Sequence, residues 1–159
     1  MTPPARVQAA IELLDAIIIA ARDAGPAGDT IIGAYFKSRR YAGSADRRAV
    51  RELVYRAIRA WPEPPPSGRA AMLGLASEDL GLLAACDGSP HGPAPPSPSE
   101  TGRTPRSEPV PKWLARRFDP AATPADLRSL LSRAPLDLRV NRLRAGRDEL
   151  LRVFEGAVA

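Results

Sequence analysis

Cysteine is almost missing from this sequence: Cys86 is the only one. An intrachain disulfide is therefore excluded, and the composition fits a reducing, cytoplasmic setting. Histidine is as scarce, with His91 alone, and together the two fall short of the three or four protein ligands of a zinc site. No metal is expected. A Cys86–His91 nucleophilic pair stays open in principle, yet nothing near Cys86 marks it as more than a packed thiol. Long apolar runs are also missing. The longest, residues 16–21, lies between Asp15 and Arg22, where a membrane span needs about 20 apolar residues. No membrane partner and no secretory signal are expected. Neither G-x-G-x-x-G nor G-x-x-x-x-G-K occurs, so the usual phosphate-cradling loops are lacking. The carboxylate pairs Glu78-Asp79 and Asp148-Glu149 fall in the first turns of helical stretches, where compensation of the helix dipole explains them. No complete catalytic site emerges.

Lysine is the last scarcity. Lys37 and Lys112 are the only ones, and every other cationic residue is arginine. Arginine suits bidentate phosphate contacts and stacking on bases, although a GC-rich genome produces the same bias. The positive charge is unevenly placed. Residues 34–69 hold nine cationic against three acidic residues, a net of +6, whereas 1–33 and 70–111 are net −2 and −3 and 112–159 is net +4. Basic charge gathered in one part of a domain points to a polyanion partner more strongly than the total does.

The stretch 41–61 organises the rest. Ser44 suits an N-cap, and Asp46 places negative charge at the positive end of a helix. Val50, Leu53, Val54, Ala57, Ile58 and Trp61 recur at helical spacing as one apolar stripe. Roughly opposite stand Arg48, Arg51, Tyr55 and Arg59, with Arg56 on a flank and Arg47 at the apolar edge. This reads as a core helix with a polyanion-binding outer face; the plainer alternative is a solvated face.

Before it, Thr2-Pro3-Pro4 opens a helix whose apolar side is Val7, Ile11, Leu14, Ile17, Ile18 and Ala21, and Gly25-Pro26 ends it. Asp29 or Thr30 caps a second helix, with Ile31, Ile32, Tyr35 and Phe36 inward, running out into Lys37, Arg39 and Arg40. Prolines 62 and 64–66 end the central helix. Residues 69–85 are helical with a break near Ser77. Residues 1–87 are thus an all-helical bundle. Residues 88–111 hold eight prolines and no apolar period, a loop or linker. Residues 112–135 form a helical connector, in which Thr123-Pro124-Ala125-Asp126 caps a short helix with Leu127, Leu130 and Leu131 as its buried face. Leu136, Leu138 and Val140 alternate with polar residues as in a half-buried strand. A helix follows from about Arg147, with Leu150, Leu151 and Phe154 inward. A single strand cannot sustain a sheet, so residues 136–159 read as the opening strand and helix of an α+β subdomain that is not completed here.

Residues 46–59, DRRAVRELVYRAIR, resemble the central helix of NusB-type RNA-binding domains, in which an Asp-Arg pair opens the helix and apolar residues run to a closing Arg. The first helix, with Arg6 and Ala10 ahead of Leu14, is similar to the same domain. Residues 133–143, RAPLDLRVNRL, resemble the segment that opens the methyltransferase portion of Sun/RsmB-type 16S rRNA cytosine-C5 methyltransferases. The resemblance implies a mainly α chain: a NusB-like bundle, then the first strand and helix of the subdomain preceding a catalytic fold. In that family S-adenosylmethionine is held by a Gly-rich loop, and two cysteines serve catalysis. Neither motif is in this chain, and Cys86, in Ala-Cys-Asp-Gly, matches neither. The implied role is recruitment of 16S rRNA for methylation, with no catalysis and no cofactor in this chain itself, and with the missing catalytic domain as a second partner. The expected RNA-contact set is Lys37, Arg39, Arg40, Arg47, Arg48, Arg51, Arg56 and Arg59, with Arg47 equally suited to an internal ion pair. The alternative is a stand-alone NusB-like module of the antitermination type that binds RNA and protein. A third reading is a helical domain that binds an acidic protein surface.

Overall fold

The computed structural model of the protein describes residues 1–100, 108–132 and 139–154, and every regular element among them is an α-helix. The first, α1 (Pro3–Arg22), begins as its sequence demands: the Thr2 hydroxyl accepts from the Ala5 N–H, and proline occupies the first turn. It ends with Ala24 in the left-handed region, φ 52°, and the Gly25 N–H donating back to the Ala20 carbonyl at 2.7 Å, the bond that closes a Schellman turn.

This helix is the hub. Beside the expected face of Val7, Ile11, Leu14 and Ile18, a second face of Ala9, Ala10 and Leu13 is also buried. α1 therefore takes α2 (Gly28–Ser38), α3 (Ser44–Ala60) and α4 (Gly68–Ala76) against it, and α5 (Leu80–Ala84) joins through α4. The stretch expected to organise the chain, α3, is one of three helices laid on α1. Its Val50, Val54 and Ala57 are buried, but Ile58 at the far end of the stripe is exposed.

Helix boundaries differ from expectation by a residue or two at the starts. α2 begins at Gly28, ahead of Asp29 and Thr30. α3 has Gly43 rather than Ser44 at its cap, because the Asp46 carboxylate accepts from the Gly43 N–H at 3.3 Å. That carboxylate also holds the Met1 amine at 3.0 Å and the Arg6 guanidinium at 2.9 Å, tying the start of α1 to the start of α3. The Met1 and Arg6 hydrogen bonds keep the Asp46 carboxyl below its ordinary range.

α4 lies closest to α1 at Gly68. Its N–H donates to Asp15 Oδ1 at 2.6 Å, so a carboxylate from the middle of α1 satisfies a free amide in the first turn of α4, as Ser67 does for Ala70.

Residues 88–100, expected as loop or linker, have no regular structure and return onto the bundle as a strap. Arg69 fastens it. Its Nε donates to Glu100 Oε1 at 2.7 Å, and its terminal nitrogens donate to the Ala94 and Pro95 carbonyls at 3.1 and 3.2 Å. Cys86, near Arg69 and Glu100, is buried, and burial pushes its thiol up. Arg69 holds the Glu100 carboxyl down to about 2 from an ordinary 4.5. Since the folded value is the lower one, the fastening is complete above pH ~4.5 and is lost as pH falls toward 2. Arg69→Gln is expected to free the strap at neutral pH and to raise the rate of Cys86 thiol labelling about tenfold. An unchanged rate would mean the strap is held elsewhere.

The carboxyl-terminal third behaves differently. The helices α6 (Lys112–Ala115), α7 (Pro124–Ser129) and α8 (Arg147–Val153) form, and Thr123 and Asp126 make the expected capping box. None of the three contributes a buried residue. Leu130 and Phe154, expected inward, are exposed, as are Trp113 and Leu143. The hydrophobic period of these helices is real, but the described residues cover it only in part, leaving Leu127, Leu131, Leu150 and Leu151 half-buried. Of the expected strand, Leu136 and Leu138 lie outside the described residues, and 139–141 have no regular structure. The described residues are mainly helical and contain no strand.

Candidate nucleic-acid interface

The eight expected contact residues divide into two groups of four. In the first, the cation already has an intramolecular partner. Arg39 lies 3.5 Å over the Tyr35 ring and donates to Glu12 Oε2 at 3.2 Å, an oxygen that also accepts from the Tyr35 hydroxyl at 2.8 Å. Burial, reinforced by that Glu12 bond, pushes the Tyr35 phenol up. Arg56 Nη1 meets Asp79 Oδ2 at 2.7 Å, joining α3 to the start of α5 and depressing the Asp79 carboxyl. Arg59 pairs with Glu52 at 3.3 Å, two turns back on the same helix. Arg47 forms no ion pair with an acid among the described residues. Its Nε donates to the Ala42 carbonyl at 2.9 Å, and its guanidinium stands 5.8 Å from the centre of the Phe36 ring.

The second group is Lys37, Arg40, Arg48 and Arg51. All are exposed, and none of their side chains makes a hydrogen bond or ion pair with a described residue. They cluster where the end of α2 meets the first half of α3. The second half of α3 is different, since Glu52 and Asp79 offset its arginines.

Between α2 and α3 runs a cleft of about 390 Å³, whose α3 wall carries Arg47, Arg48 and Arg51 beside Ser44 and whose α2 wall is Ile32, Gly33 and Phe36. Asp29 and Tyr55 stand one turn beyond it. Burial, with the Asp29 carboxylate next, raises the Tyr55 phenol, and Arg51 opposes that rise. Tyr41, just past α2, is 72% exposed. It was not among the expected contacts, although an aromatic beside Arg39 and Arg40 is a stacking surface of the kind nucleic-acid binders use.

Lys37 has a local reason to be where it is: a cation in the last turn of α2 complements that helix's dipole. Arg48, in the second turn of α3, is paired with no acid among the described residues.

A second groove, of about 180 Å³ and almost wholly apolar, lies where Ile17, Ile18 and Ala21 of α1 face Ile58, Trp61 and Pro62. The Trp61 indole N–H donates to the Ala71 carbonyl at 3.3 Å, fixing the ring.

The chain matches no protein-family model, no curated protein and no solved structure. Among the described residues no group of three or more His, Cys, Asp or Glu side chains could hold a metal, and no helix is long and apolar enough to cross a membrane. No strand there leads through a glycine-rich turn into a helix.

Proposed function

We propose that the helical bundle is an RNA-binding domain that grips folded RNA through phosphate contacts, with Lys37, Arg40, Arg48 and Arg51 as the principal cations. One observation carries this: these four have no partner among the described residues, while the arginines around them are engaged within the fold. Guanidinium groups free of internal pairs and aligned on one surface are the means by which proteins hold a phosphate backbone in register. Arg39, Arg56 and Arg59 then serve stability first.

The finer reading follows from the sequence resemblance. The bundle is NusB-like, and the chain is the amino-terminal, recruiting part of a Sun/RsmB-type 16S rRNA cytosine-C5 methyltransferase. Residues 136–159 then open the α+β subdomain that leads to the catalytic unit. The exposed Trp113, Leu130, Leu143 and Phe154 suit that reading, since a following domain would cover them. The apolar groove at Trp61 favours the alternative, a stand-alone NusB-like module that binds RNA and a protein partner.

Salt dependence tests the RNA proposal. If four phosphates are engaged, the slope of log K against log salt for an rRNA hairpin is about −3, between −0.7 and −0.9 per phosphate. A flat response would show that the cations are not phosphate contacts.

A further inference from the structure

Where α2 ends, the rings of Tyr35 and Phe36 are already in use. Phe36 belongs to the core, and Tyr35, edge-on to it, has Arg39 over its face and Glu12 on its hydroxyl. Tyr41 is different: it is 72% exposed, and its hydroxyl bonds no described residue. Its backbone is nonetheless braced. The Ala42 N–H donates to the Arg39 carbonyl at 3.1 Å, closing a turn with Arg40 and Tyr41 at its centre. Ala42 itself is buried, and its carbonyl accepts from Arg47 Nε at 2.9 Å. A guanidinium and a flat ring, both exposed, thus stand on adjacent residues of one anchored turn. The charges around that turn favour an anion. Glu12 Oε2 is occupied by Arg39 and Tyr35, and Asp46 by the Met1 amine and Arg6. Asp29 lies in the first turn of α2, about 13 Å of helix from Ser38, beyond the ~8 Å Debye length at physiological salt.

Resting on the RNA reading, we infer that Tyr41 is the stacking platform for one unpaired base, with the phosphate of that nucleotide on Arg40. A nucleotide carries its charge and its ring a few bonds apart, and adjacent residues of one turn match both. In A-form RNA the base faces are covered by their neighbours, so Tyr41 finds a partner only in a loop or bulge. Every base has a π-face, so selection is for unpaired structure rather than for sequence. Tyrosine suits the task, because a side chain with two torsions loses little freedom on contact. Lys37, Arg48 and Arg51 then hold the neighbouring backbone.

The test uses the whole chain and two RNA duplexes of equal length and phosphate number, one fully paired and one with a central internal loop. Fluorescence anisotropy reads both. The looped RNA is expected to bind about tenfold more tightly, in the range of one base stacked on an aromatic ring. In Tyr41→Ala that preference disappears, while affinity for the paired duplex is kept. Tyr41→Phe retains the preference, because stacking needs the ring and not the hydroxyl. Tyr41→Trp retains it as well, and its added indole emission is quenched by the looped RNA but not by the paired duplex. Circular dichroism melts check that the variants keep the fold. If the natural chain binds both RNAs equally, or Tyr41→Ala keeps the preference, the platform is overturned while the RNA reading stands on its salt slope. If the natural chain binds neither RNA, both fail.

Discussion

Reversing Arg48 and Arg51 to glutamate is expected to lower affinity for a structured rRNA hairpin on the order of 100-fold at 0.15 M salt. Two lost phosphate contacts cost roughly 20-fold there through counterion release alone, and the two new carboxylates repel the backbone in addition. The fold should survive, because both side chains are exposed and bond nothing among the described residues. The comparison that gives the result its meaning is Arg56→Gln with Arg59→Gln. Those arginines are engaged with Asp79 and Glu52, so their loss should affect thermal stability more than RNA affinity. Filter binding with parallel circular dichroism melts separates the two effects. Equal losses of affinity in both double variants would mean that the net charge of the region, rather than this surface, draws the RNA.

Gly68→Ala should be the most damaging single methyl in the protein. A Cβ at this position would overlap the Ile11 carbonyl oxygen, and it would come within 2.9 Å of both the Asp15 amide nitrogen and the Leu14 Cβ. Two of those three atoms belong to the backbone of α1 and cannot turn aside. α4 must therefore back away from the hub, weakening the Gly68–Asp15 hydrogen bond and loosening Ala71, Met72 and Leu75 from the core they share with α1. Forced overpacking of this kind costs about 3 kcal/mol, a fall in Tm on the order of 10 °C. The same substitution at Gly33 should have the opposite sign. No atom stands within 4 Å of the new methyl there, and exchanging helical glycine for alanine is worth about 1 kcal/mol of stability. Differential scanning calorimetry of the pair decides the matter, and a Gly68→Ala protein melting like the natural one would show that α4 does not sit this close to α1.

What was legible in the sequence is what local physics fixes. The period of Val50, Val54 and Ala57 gives α3, Thr2 with its prolines gives the start of α1, and Thr123 with Asp126 gives α7, because capping and helical repeat act within a few residues. The hub role of α1 was less visible. Its expected stripe of Val7, Ile11, Leu14 and Ile18 is only half of what it buries. The other half, Ala9, Ala10 and Leu13, has meaning only once several helices surround it. The apolar faces of α7 and α8 were read correctly as apolar and wrongly as inward at Leu130 and Phe154, since periodicity cannot say whether a partner is present.

The contact set shows the same boundary. Charge spacing put Arg48, Arg51 and Arg59 on one face, but it could not tell which arginines were already engaged. Arg39 finds its carboxylate in Glu12, on another helix and 27 residues earlier; Arg56 finds Asp79, 23 residues later. Such pairings come from tertiary approach, and they reduce eight expected contacts to four free cations and one ordered arginine, Arg47. The cleft itself had no signal in the sequence, because its walls come from two helices that only the fold brings side by side.

The central claim is that RNA rests on the end of α2 and the first half of α3. Hydrogen–deuterium exchange of the whole chain, with and without an rRNA hairpin, tests it most directly. The account predicts slowed exchange in the peptides spanning 33–51, with the Trp61 groove and the strap at 88–100 unchanged. Protection confined to the Trp61 groove, or none anywhere under conditions where the RNA is bound, would contradict it.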